Sequence, residues 1–228
     1  LPLRIGGEAF GALVMLTDGE VRLAKDQVQT LKSAGNHLGL ALRNALLYRD
    51  VKVRADRDGL TRIHNRQSFD ERLVEEFKRH QRYGTELSLL MVDLDHFKEI
   101  NDTFGHGMGD TVLRTVAGIL QDTLRITDFT ARYGGEEFVV LLPHTDEDDA
   151  WRLAERLRER IQQRRFEHGN GSFHITASIG VAALDSGALA GEEDLVLKAD
   201  QALYMAKHNG RNMVVVSGRE ASATISTS

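Results

Sequence analysis

Residues 86–95, ELSLLMVDLD, constrain the fold more than any other stretch of the chain. With a side-chain period of two, Leu87, Leu89 and Met91 take one face of a strand and Leu90, Val92 and Leu94 take the other. A strand that is apolar on both faces is central in its sheet, and each side must be covered. The neighbouring segments supply that cover. RQSFDERLVEEFKRHQRYG has helical periodicity and ends on Gly84, and a second helix is expected over roughly 109–123. Residues 147–165 read as a charged amphipathic helix, and EEDLVLKADQALYMAKHNG as a helix stopped by Gly210. FTARY, a Gly-Gly turn and EFVVLLP predict a hairpin; HITASIGVAAL and NMVVVS predict two more strands. The order α, β, α, β, β, α, β, α, β predicts an α+β fold with a mainly antiparallel central sheet flanked by helices. It is close to a ferredoxin-like split βαβ with additions.

Upstream, residues 1–16 read as strand, Gly6-Gly7 turn, strand. From about Asp26 to Arg57 there is no proline, and good helix formers dominate, so one long helix is expected. Val28, Leu31, Leu38, Leu42 and Ala45 lie near heptad spacing, with Gly35 at one seam position. This predicts a stalk that packs on a partner helix. The expected division is a sensor remnant over 1–25, the stalk over 26–57, a main domain over 58–218 and a disordered tail over 219–228. The chain opens directly on the strand-like LPLRI, so we expect a piece of a longer protein.

Composition narrows the function classes. The 228 residues allow one or two domains, and 41% hydrophobic content can bury a proper core. A net charge of −5 offers no global basic field for nucleic acid or a membrane surface. The absence of cysteine excludes disulfides and thiolate metal sites, and fits a cytoplasmic location. No apolar run reaches the roughly 18 residues of a membrane span.

The strand 86–95 ends in Asp93 and Asp95, two carboxylates on one face, an arrangement suited to holding Mg²⁺ against phosphate oxygens. Downstream, YGGEEF places Gly134 and Gly135 in a turn whose bare backbone lets a phosphate or ribose approach. Glu136 and Glu137 stand at the start of the following strand, one on each face. One could join Asp93 on metal while the other faces a reacting hydroxyl. Either motif alone is common on surfaces. Together, with Lys98, Lys207 and Arg211 as phosphate-binding cations, they suit two-metal, in-line displacement at phosphorus. The look-alike IGGEAF at 5–10 has Ala9 in place of the second acid and no D-x-D strand at a matching offset, so it reads as a plain hairpin. Trp151 is expected to pack a helix. FEHGNGSFH reads as a polar loop whose histidines are wrongly spaced for a compact zinc pair.

DGLTRIHNR, VDLDHFKEINDTFGHGMGD, ARYGGEEF, ASIGVA and ADQALYMAKHNGRN, in this order over about residues 56–216, resemble the GGDEF domain of diguanylate cyclases. The first 50 residues resemble, more weakly, the last hairpin and exit helix of a GAF sensor domain. The resemblance implies a fold like the palm of nucleotidyl cyclases and polymerases. It also implies that two GTP become cyclic di-GMP and two pyrophosphates across a homodimer of facing domains joined through the stalk. By that resemblance Asp93 and Glu136 bind Mg²⁺ or Mn²⁺, two ions per active half-site, with help from the Leu94 carbonyl. Glu137 either assists the metal or activates the 3′-hydroxyl. Lys98, Lys207, Arg211 and the backbone N–H groups of Phe97 and Lys98 contact phosphate, while Asn101 and Asp110 read guanine. His96 stays structural.

The resemblance further assigns Arg125 and Asp128, in RITD, to an inhibitory site for the cyclic di-GMP product, with Arg156 as a secondary arginine. The competing reading is a catalytically silent receptor for GTP or cyclic di-GMP. Relatives of that kind usually carry a damaged turn motif, and YGGEEF is undamaged.

Overall fold

The structure, a computed structural model, describes residues 2–5, 8–12, 14, 18–19, 23–169, 171–184 and 191–218. The Gly6-Gly7 turn and the tail over 219–228 lie outside the described residues. The chain divides into two compact units, residues 1–55 and 56–228.

In the first unit, β1 (Pro2–Ile5) and β2 (Glu8–Ala12) form an antiparallel hairpin, and α1 (Lys25–Ala55) packs against β1. Along α1, Val28 and Leu31 are half-buried and Gly35 and Gly39 are buried, a spacing of three and four that marks one helix face. Leu38, Leu40 and Leu42 are exposed.

In the second unit, a two-residue strand β3 (His64–Asn65) leads into α2 (Arg66–Tyr83). Asn65 caps this helix by accepting from Ser68 N at 3.0 Å, and Gly84 ends it with φ 63°. Then follow β4 (Leu87–Leu94), α3 (Phe97–Phe104), α4 (His106–Thr123), β5 (Phe129–Arg132), β6 (Glu137–Pro143) and α5 (Glu147–Gln163). The chain closes with β7 (Arg165–His168), β8 (Gly171–His174), β9 (Ala177–Leu184), α6 (Glu192–His208) and β10 (Val214–Val216).

The main sheet has the order β10-β9-β4-β6-β5-β3. Its three inner pairings are antiparallel, and β10 and β3 join its two edges in parallel. The architecture is α+β with helices on both faces, as the two-faced β4 requires. Leu90, Val92 and Leu94 enter one core with α4 and α5, while Leu87, Leu89 and Met91 enter the other with α2 and α6. All eight β4 residues are buried.

Three expectations are corrected. FEHGNGSFH is not a polar loop but the β7–β8 hairpin, because Phe166 and Phe173 stack at 5.4 Å and Phe173 stacks on Phe104 at 4.5 Å. That apolar interior outweighs the polar look of the segment. Trp151 is not buried in a helix interface; it is 40% exposed and lies outside the buried face of α5, which is Ala150, Ala154, Leu157 and Ile161. The helix expected over 109–123 begins at His106, and α3 precedes it. Among the described residues, no helix is long and apolar enough to cross a membrane.

Candidate active site

The site lies where β4 and β6 end side by side. Asp93 is directly opposite Glu137 in the antiparallel register, so their side chains share one face of the sheet. Leu94 N donates to the Glu136 carbonyl at 3.4 Å, which ties the acidic turn to the end of β4. From the same side, α6 delivers Lys207, whose Nζ is 2.8 Å from Asp93 Oδ2. Asp93 is only 7% exposed. Burial pushes its carboxyl up to about 6; the charges of Glu136 and Glu137 add to the rise, while Lys207 opposes it.

This raised value has a thermodynamic consequence. Asp93 starts from an ordinary value of 3.8, so between about pH 4 and 6 the folded chain holds a proton that the unfolded chain has lost. The stabilisation is fully present below the unfolded value and disappears as pH rises through about 6. At about 1.4 kcal/mol per pKa unit, the loss is on the order of 3 kcal/mol. We expect unfolding in the presence of a chelator to show this decline, and Asp93→Asn to flatten it. An unchanged pH profile in the variant would overturn the assignment.

The turn is braced from outside. Arg132 donates from Nε and Nη2 to the Gly135 carbonyl at 3.1 and 2.7 Å, and its Nη1 pairs with Asp58 at 3.2 Å. Asp58 also accepts from Thr61 N and Oγ1 at 2.7 and 2.6 Å. Sequence reasoning did not assign Arg132 or Asp58 a role; their pairing spans 74 residues, and no local pattern announces it. A Cβ at Gly134 would press on the Glu137 carboxylate, so a side chain there would displace that carboxylate from its place beside the turn. A Cβ at Gly135 would meet nothing within 4 Å, so its backbone is open to approach.

Asp95 differs from Asp93. It is 4% exposed and accepts from Thr176 Oγ1, Ser178 Oγ and Asn212 N at 2.7, 2.7 and 3.0 Å. The D-x-D reading offered both carboxylates to a metal, but Asp95 is committed to these three donors. His96 follows with φ 57° and its Nδ1 2.7 Å from Glu99 Oε1. Phe97 and Lys98 then occupy the first turn of α3, where N–H groups lack helical partners and favour anions. Asn101 is half-buried on α3, and Asp110 sits on α4, 3.6 Å from Arg114. Gly109 makes room for Asn101, whose Oδ1 a Cβ there would strike. Arg211 lies just past α6, exposed, with φ 64°.

Among the described residues, no three His, Asp or Glu side chains already converge in a metal-holding cluster. The donor set nevertheless fits a hard divalent cation. Carboxylate oxygens are its preferred ligands, and the rise at Asp93 comes partly from neighbouring charges that a cation would neutralise.

The RITD segment is a tight turn between α4 and β5. Asp128 Oδ2 accepts from Arg125 N at 2.8 Å, Asp128 N donates to the Arg125 carbonyl at 3.1 Å, and Ile126 is fully exposed. Arg156 reaches the carbonyl of Thr123 at 3.3 Å, two residues before Arg125, and Arg160 reaches Thr123 Oγ1 at 2.8 Å. Arg152 and Arg158 turn elsewhere, to Asp149 and Glu155. A cavity of about 480 Å³, lined by Arg57, His64, Arg125, Asp128 and Thr130 among others, opens beside this turn.

Comparisons with known proteins identify the family. Residues 55–213 match the family described as diguanylate cyclase, GGDEF domain. The chain is 47% identical over 167 residues to the diguanylate cyclase DgcP of Pseudomonas aeruginosa, covering 73% of this chain and 25% of that protein. It is 45% identical over 164 residues to the response regulator PleD of Caulobacter vibrioides, covering 69% of this chain and 35% of that protein. The chain thus spans about a quarter to a third of the length of these curated relatives. It is also similar to a solved structure comprising the coiled coil and GGDEF domain of DgcB from Caulobacter crescentus in complex with c-di-GMP. That likeness has a TM-score of 0.73 at 31% identity and covers 83% of this chain and 98% of that one. With the acidic turn, the buried strand and the residues around them all inside the matched region, the chain belongs to the GGDEF diguanylate cyclase family.

Proposed function

We propose that this chain condenses two GTP molecules into cyclic di-GMP and two pyrophosphates, with one GTP held by each of two facing domains. The observation that carries this reading is the pairing of Asp93 with Glu137 at one sheet end, with Lys207 2.8 Å from Asp93. In each step the 3′-hydroxyl of one GTP attacks the α-phosphorus of the other. The new O3′–P bond forms, the bond to the β-phosphate oxygen breaks, and pyrophosphate leaves. The hydroxyl proton passes to a carboxylate, and Glu137 is the residue we assign to it.

The carboxylates of Asp93, Glu136 and Glu137, with the Leu94 carbonyl, would hold Mg²⁺ or Mn²⁺, two ions per half-site. The cations supply charge neutralisation at the triphosphate. Lys98, Lys207 and Arg211, together with the N–H groups of Phe97 and Lys98 and the bare backbone at Gly134 and Gly135, bind the phosphates. Asn101 and Asp110 read guanine, whose N1–H and N2–H₂ donors suit a carboxylate. Arg125, Asp128 and Arg156 form an inhibitory site for the product. The tight RITD turn and the reach of Arg156 toward it support that assignment.

One domain holds one GTP, so a dimer is required. We assign the contact between copies to α1, the stalk, preceded by a GAF-like remnant over 1–25. Exposed Leu38 and Leu42, and the likeness to a structure that includes a coiled coil, support it. Purified chain incubated with GTP and Mg²⁺ should yield cyclic di-GMP; a folded, demonstrably dimeric sample that makes none overturns the proposal. Replacing Leu38 and Leu42 together with Glu should shift the mass toward monomer and cut turnover at least roughly tenfold, because two charges cannot be buried unpaired in a seam. Unchanged mass and turnover would remove α1 from the interface.

A further inference from the structure

Gly210, Arg211 and Asn212 have φ values of 121°, 64° and 47°, three successive residues in the left-handed region. Glycine tolerates this and asparagine adopts it more readily than most residues, but arginine rarely does, and its left-handed backbone persists only where the surroundings over-determine it. Four hydrogen bonds hold the turn. Arg211 N donates to the Ala206 carbonyl at 3.0 Å, which folds the turn back onto α6. Asn212 N donates to Asp95 Oδ2 at 3.0 Å. Arg158 Nη1 donates to Asn212 Oδ1 at 3.0 Å from α5. The Met213 carbonyl accepts from Ile179 N at 3.0 Å, which fastens the end of the turn to β9.

Asp95 and Arg158 are themselves fixed. Asp95 is buried, with Thr176 and Ser178 occupying its two oxygens alongside Asn212. The Arg158 side chain is 15% exposed, oriented by Glu155 Oε2 and Gln162 Oε1, both at 2.8 Å. A surface arginine in a helix of this charge would ordinarily lie in solvent. This one spans 54 residues of sequence to grip a loop side chain.

We propose that Arg158 and Asp95 are positioning residues that lock the Gly210–Asn212 turn, so that Arg211 is presented, preorganised, to the polyphosphate of the bound nucleotide. The inference rests on the reading above in which Arg211 binds phosphate. Releasing Asn212 lets two left-handed non-glycine residues relax, and Arg211 then has to be ordered anew on each binding event.

The test compares a non-hydrolysable GTP analogue with guanosine, which has no phosphate. Arg158→Gln should weaken the analogue roughly tenfold and leave guanosine within about twofold, a selectivity that general loosening of the fold would not produce. In turnover, KM for GTP should rise with kcat nearly unchanged. Arg158→Lys should recover part of the loss, because an ammonium can still donate to Asn212 Oδ1. Arg158→Gln combined with Arg211→Ala should be no worse than Arg211→Ala alone, since both act through one guanidinium. If Arg158→Gln does not fold, Asn212→Gly removes the same contact, tolerates the backbone and should give the same selective loss. If Arg211→Ala weakens the analogue and the folded Arg158 or Asn212 variant does not, the positioning role is wrong and the phosphate role stands. If Arg211→Ala itself leaves the analogue unaffected, the phosphate reading falls and this inference with it.

Discussion

Glu137→Gln is expected to cut cyclic di-GMP formation at least roughly a hundredfold, the usual weight of a positioned general base or metal ligand. It should do so without unfolding the chain. The backbone carbonyl of Glu137 accepts from Tyr133 N at 2.8 Å and Gly134 N at 3.3 Å, and these bonds do not involve the side chain. Glutamine keeps the shape that sits beside Gly134. Removing one negative charge next to Asp93 also lowers the Asp93 carboxyl from about 6, which improves rather than harms stability near neutral pH. The combination distinguishes chemistry from folding: product measured by chromatography collapses while the unfolding midpoint holds or rises. Product at the wild-type rate would mean that neither proton transfer nor metal binding runs through this carboxylate.

Gly180→Ala is expected to be the most damaging small substitution for stability. Gly180 lies on β9 opposite Met91 of β4, under α6. A Cβ there would strike the Ala199 carbonyl oxygen and the Leu203 nitrogen, and would stand 2.9 Å from Leu203 Cα. All three obstacles are backbone, so no side chain can swing aside, and the helix must lift from the sheet. Overpacking of this kind costs about 1–3 kcal/mol, and we place this case at the upper end. For a domain of this size that corresponds to a fall of roughly 5–10 °C in Tm. The site should suffer too, because a lifted α6 draws Lys207 away from Asp93. Gly118→Ala is the control. It lies inside α4 with nothing within 4 Å of the added Cβ, and should be neutral or stabilising by up to about 1 kcal/mol. Equal midpoints for the two variants would refute the close helix–sheet approach.

Much of this architecture is readable from the order of residues. The two apolar faces of β4, the Gly-Gly hairpin and the Gly84 stop of α2 follow from periodicity and turn residues. Each such signal comes from residues within a turn or two of one another. The misses are of another kind. FKEINDTF is an eight-residue helix, too short for periodicity to separate from a loop. The β7–β8 hairpin forms because Phe166 and Phe173 meet Phe104, which lies some sixty residues upstream, and its own residues look polar. Trp151 is exposed because α5 buries a different stripe, which alanine, leucine and isoleucine fill.

The acidic turn shows the division most clearly. The sequence by itself determined that two glycines and two acids make a turn into an apolar strand, because those constraints act between adjacent residues. It also placed Asp93 at the end of a buried strand. Only the tertiary structure decided that these two strand ends are neighbours, with Asp93 opposite Glu137 and Lys207 at 2.8 Å. It likewise separated the two acids of D-x-D, giving Asp93 to the site and Asp95 to Thr176, Ser178 and Asn212. Identical side chains two residues apart diverge because neighbouring charge and hydrogen-bond donors arrive from β6, from β9 and the residues just before it, and from α6 and the turn after it. Strand order brings those elements together, and strand order is a property of the packed sheet rather than of any local stretch.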